Sequence, residues 1–70
     1  MTAEQWIRAN LTVIHDGYED VIDWGNGIYT PVGIFVTMFG TVIQDAIDTG
    51  SDVREAIRNN DNGRGFASLV

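Results

Sequence analysis

The hydrophobic and polar positions of the chain divide it at one glycine-rich break. Before the break, Ile7, Leu11, Ile14, Tyr18, Val21 and Ile22 recur at steps of three and four, the spacing of one helix face. Thr2 followed three residues later by Gln5 is a capping-box pattern, so the spacing predicts an amphipathic helix over about residues 3–24. Its opposite side carries Asp16, Glu19, Asp20 and Asp23. Gly25-Asn26-Gly27 supplies the positive φ values that end a helix, placing a turn over residues 25–30. Thr30 and Pro31 then read as N-cap and first helical residue. From Pro31 the chain is apolar on nearly every side through Val32, Ile34, Phe35, Val36, Met38, Phe39, Val42 and Ile43. That run predicts a second helix over about 31–49, closed by Gly50, with strand a rival only for Ile34 to Thr37. Ser51 or Asp52 caps a short third helix over about 52–59, edged by Val53, Ala56 and Ile57. An irregular tail follows, in which only Phe66, Leu69 and Val70 can dock. The expected fold is therefore all-α: a single domain, residues 1–70, built as a helical hairpin of an acidic amphipathic helix and an apolar helix, with residues 50–70 as short helix and tail.

Charge changes this picture most in the middle of the chain. No charged residue lies between Asp23 and Asp45, a stretch close to the twenty or so residues that cross a bilayer. A helix apolar on nearly every side is not covered by one neighbouring helix, so lipid or other copies are expected to cover it. The formal charge is −6, and the only basic residues are Arg8, Arg54, Arg58 and Arg64, which makes nucleic acid an unlikely partner. With no cysteine and one histidine, disulfides are excluded, and so is a Cys/His zinc site unless several chains share it. A chain of 70 residues then relies on association for much of its stability. Met1 to Trp6 lacks a basic and then apolar leader, so no cleavable signal peptide is expected.

The candidate functional residues are packing residues. Gly33, Thr37, Gly40 and Gln44 fall on one stripe that lets a neighbouring backbone approach, while Ile34, Phe35, Phe39, Val42 and Ile43 supply the area to be buried. Trp24 and Tyr29 border the apolar run as interface aromatics do. Arg54, Arg58 and Arg64 are candidate contacts for phosphate or lipid head groups, although pairing of Glu55 with Arg58 competes. Asp16, Glu19, Asp20 and Asp23 are spaced poorly for chelation on a helix, and no metal or cofactor is expected. His15 precedes Glu19 by one turn, within reach of a hydrogen bond. Neither Ser51 nor Ser68 has a motif that would activate it, so no catalytic residues and no enzymatic activity are expected.

The order of an acidic segment (Asp16 to Asp23), a glycine break (Gly25 to Gly27) and an apolar helix (Val32 to Ile43) resembles the small major coat proteins of filamentous phages. That resemblance implies a subunit that rests in a membrane and packs into a virion. It does not extend to an export leader or a lysine-rich end, so no genome-facing role is carried over. The style also resembles small leaderless channel proteins of mycolate-bearing bacteria, again without a shared motif, and neither family is assigned. The expectation is a non-enzymatic structural subunit that binds copies of itself through its apolar helix, located in a membrane or a virion-like assembly. The alternatives are a soluble, cytoplasmic module that binds a larger protein, and a holin-like pore lined by Thr37, Thr41 and Gln44.

Overall fold

A computed structural model describes all residues, Met1–Val70, and corrects the all-α expectation. The chain runs α1 (Ala3–Asn10), β1 (Val13–His15), β2 (Asp20–Gly25), β3 (Ile28–Pro31), α2 (Val32–Thr49), α3 (Val53–Asn59) and a 3-10 helix (Asp61–Phe66). The strands form an antiparallel meander in the order β1-β2-β3, so the fold mixes helix and sheet.

The amphipathic helix expected over 3–24 starts as foreseen and stops early. Thr2 and Gln5 close the capping box. After Asn10 the β-branched run Thr12-Val13-Ile14 favours an extended backbone. Gly17, at φ +95°, then turns the chain while the Asp16 carboxylate accepts from the amides of Tyr18 and Glu19. Val21 and Ile22 belong to a strand, not to a helix face, with Ile14 opposite Val21 and Val13 opposite Ile22.

The glycine break joins two strands. Asn26 and Gly27 have φ of 56° and 77°, and they span a two-residue loop between the paired Gly25 and Ile28. Positive φ at both central residues is the geometry that matches strand twist in a tight hairpin, and Asn-Gly meets it at least cost. The register shifts between Asp23 and Gly25, leaving Trp24 as a bulge whose ring packs on Phe35. Thr30 does not cap α2. It lies in β3, where its hydroxyl accepts from the Trp24 indole N–H at 2.8 Å, and Pro31 occupies the cap position without a side-chain hydrogen bond. Both later caps lie where expected: Gly50 is left-handed at φ 70°, and the Asp52 carboxylate accepts from the Glu55 amide.

The chain itself covers one face of α2, and the other face is exposed. Val32, Phe35, Phe39, Ile43 and Ala46 are buried among Ala3 and Ile7 of α1, Ile22 of β2, and Val53 and Ile57 of α3. Phe66 docks from the 3-10 helix, edge-on to Phe35 and Phe39 at 5.5 and 5.6 Å between ring centroids, so the tail is ordered and not irregular. The accessible surface is 4257 Å² for a 7.7 kDa chain. A folded chain of that mass is expected to expose about 4,300 Å², so the degree of burial is ordinary for its size.

Gly63 is buried, and a Cβ there would overlap the carbonyl of Ile57. Gly63→Ala should therefore force the 3-10 helix off α3, costing about 1–3 kcal/mol. For a domain of this size that lowers Tm by roughly 4–20 °C in a thermal melt. Gly65→Ala, where nothing lies within 4 Å, should stay within about 0.5 kcal/mol of the parent.

Candidate functional site

The residues singled out for packing separate onto different sides of α2. Phe35, Phe39 and Ile43 point into the monomer's own core, and Val42 is half-buried beside them. Gly40 is also half-buried, one turn before Gln44. The Gln44 side chain holds the start of α1, accepting from the Ala3 amide at 3.1 Å and donating to the Met1 carbonyl at 3.2 Å. Gly33, Ile34 and Thr37 face outward, and a Cβ at Gly33 would meet nothing within 4 Å. Met38 and Thr41 share that outer face, away from Gln44. Ile34 is 54% exposed and Met38 39% exposed; the other large apolar side chains left in water, Met1, Ile14, Tyr18, Ile28 and Tyr29, lie outside α2. The Thr37 hydroxyl is satisfied by its own helix, donating to the Gly33 carbonyl.

The three arginines also part company. Arg54 is half-buried and structural: its guanidinium donates to the main-chain oxygens of Val70 at 2.8 Å and Asn10 at 3.0 Å, and lies 5.8 Å from the centre of the Trp6 ring. It thereby satisfies a carbonyl at the open end of α1. Arg64 lies 3.7 Å from Asp61 on the surface, and Arg58 is exposed with no ion pair. The Glu55–Arg58 pair does not form. His15 meets Asp20, at 3.0 Å, in place of Glu19.

That His15–Asp20 contact belongs to a clasp between α1 and the sheet. Arg8 reaches Asp20 at 2.9 Å while also holding Glu4 of its own helix at 3.2 Å. Hydrogen bonds from His15 and then Arg8 hold the Asp20 carboxyl below its ordinary range. The amides of Glu19 and Tyr18 do the same for Asp16. Sequence reading missed the clasp because it placed all four residues on one helix, where Arg8 and Asp20 are more than three turns apart. No group of three or more histidine, aspartate and glutamate side chains is placed to hold a metal, and the surface carries no pocket. Comparison with protein-family models, curated proteins and solved structures found no match to this chain.

Two measurements follow from these contacts. A carboxyl held low in the folded state stabilises the protein above its unfolded pKa, near 4, and loses that contribution as pH falls through the lower folded value. Asp20→Asn should therefore be less stable than the parent at pH 7 and show a flatter decline in urea midpoint below about pH 4. Arg54→Lys keeps the charge and loses the two-pronged hydrogen bonding, so its chemical denaturation should report a loss of about 1–2 kcal/mol.

Proposed function

We propose that this chain is a non-catalytic structural subunit that folds as a monomeric unit in water and self-associates into a multi-subunit assembly, using the outer face of α2. The observation that carries this reading is the exposure of Ile34 and Met38 on a helix whose opposite face is already closed by the chain itself. Isolated exposed apolar residues are ordinary, but two on successive turns of a helix with no charge before Asp45 make a surface suited to another protein.

Membrane insertion of α2, the competing reading, has a definite cost. The helix is long and apolar enough to cross a bilayer by length and composition. Placing it in lipid would remove Phe35, Phe39 and Ile43 from Ile7, Ile22, Val53 and Ile57 and leave those four side chains uncovered. Each such uncovering forfeits about 1.5–3 kcal/mol. A module that binds a larger, different protein uses the same outer face and differs in the copy number of the isolated chain.

The test is to express the untagged chain, separate membranes from cytosol, and measure mass by light scattering with and without mild detergent. An oligomer in plain buffer supports the subunit reading. Recovery only from detergent-solubilised membranes, or a monomer at all concentrations up to the millimolar range, overturns it.

A further inference from the structure

Resting on that reading, we infer that the partner of α2's outer face is a second copy of the same face, packed antiparallel about a two-fold axis near Thr37 and Met38. Ile34, Met38, Thr41, Asp45 and Asp48 follow one another at steps of four, three, four and three, and all five are exposed. That spacing makes a continuous seam along one side of a helix. Its first half is apolar or small and its second half is acidic, so the direction of pairing matters.

The helix ends decide the direction. The start of α2 has no side-chain cap and no acidic residue in its first turn, leaving the amides of Val32, Gly33 and Ile34 with the partial positive charge of a helix N-terminus. The last turn has no basic residue and carries Asp48, with Asp45 one turn earlier. A parallel pair would set Asp45 against Asp45 and Asp48 against Asp48. An antiparallel pair centred between Thr37 and Met38 does the opposite. At 1.5 Å per residue, Asp45 lies about 11 Å from that centre and Val32 of the second copy about 8 Å from it on the same side. Helical side chains lean toward their own N-terminus, so the Asp45 carboxylate tilts back onto the second copy's uncapped amides.

The same arrangement places Ile34 on Thr41 of the second copy and Met38 on its Thr37, with both pairs close to the axis. Gly33, Thr37 and Thr41 are small enough for the helices to approach closely. Two chains of charge −6 repel over most of their surfaces, and the stretch from Val32 to Gln44 lets them meet without opposing carboxylates. Gln44, which holds the start of α1, takes no part.

The absence of cysteine from the natural chain makes the geometry directly testable. Thr37→Cys places two thiols at the axis, where oxidation should give a covalent dimer in high yield. In Asp45→Cys the two thiols of an antiparallel pair lie roughly 20 Å apart, beyond the reach of a disulfide, and should not couple. Met38→Glu should weaken the dimer at least tenfold by sedimentation equilibrium while leaving the circular dichroism and Tm of the monomer unchanged. Asp45→Asn should weaken it about threefold to thirtyfold through the lost contacts with two helix ends.

Efficient coupling of Asp45→Cys would overturn the antiparallel order. An oligomer that persists unchanged in Met38→Glu and fails to couple through Thr37→Cys would overturn this interface while leaving self-association in place. A strictly monomeric chain overturns both.

Discussion

The fold depends on covering one apolar face of an eighteen-residue helix with what remains of a 70-residue chain. The buried positions of α2 run from Val32 to Ala46, about 21 Å along the axis, whereas α1 has eight residues and spans about 12 Å. No single short helix closes that length. The cover is therefore divided: Ile22, Trp24 and Phe66 lie over the aromatic first half, and α1 and α3 close the rest with Ala3, Ile7, Val53 and Ile57. The sheet exists to complete this cover, because a meander brings Ile22 and Trp24 to the helix with only two short loops.

A core assembled from short pieces needs its ends held. Three side chains do this, each by satisfying polar groups that the geometry leaves open. Gln44 fastens the start of α1 to the middle of α2. Arg54 ties α3 to the end of α1 and to Val70, across 44 and 16 residues of sequence. Trp24, through its bond to Thr30, keeps β2 and β3 in register beside the bulge. No buried side-chain polar atom is left without a partner, so the latches add no uncompensated desolvation.

Local signals were legible where one residue type has one physical use. The Thr2–Gln5 capping box, Gly50 and Asp52 marked three helix ends, and α2 was evident from its length alone. The span from Thr12 to Pro31 was misread because Ile7, Leu11, Ile14, Tyr18 and Val21 fit a helical period across what are a helix, a loop and two strands. Other features oppose that period: β-branched pairs at Val13-Ile14 and Val21-Ile22, a lone Gly17, and the Asn26-Gly27 dipeptide. Weighing turn chemistry above periodicity would have recovered the hairpin. The site is less legible. Ile34 and Phe35 are neighbours with equal hydrophobicity, and only the position of Ile22 and Phe66 in space makes one outward and the other buried.

The uncharged interval between Asp23 and Asp45 is not one structural element. Its first part, Trp24 to Pro31, lies in strands and a hairpin loop whose backbone bends back on itself. Only Val32 to Gln44 is both helical and uncharged, thirteen residues or about 20 Å of the eighteen-residue α2. The absence of charge therefore has different consequences on the two sides of α2. On the inner side it allows Phe35, Phe39 and Ile43 to be sealed by the chain's own sheet and helices. On the outer side it leaves Gly33, Ile34, Thr37, Met38 and Thr41 free of the carboxylates found elsewhere on the surface. Hydropathy averages these sides together, so a helix with one closed face and one neutral open face reads the same as a helix surrounded by lipid.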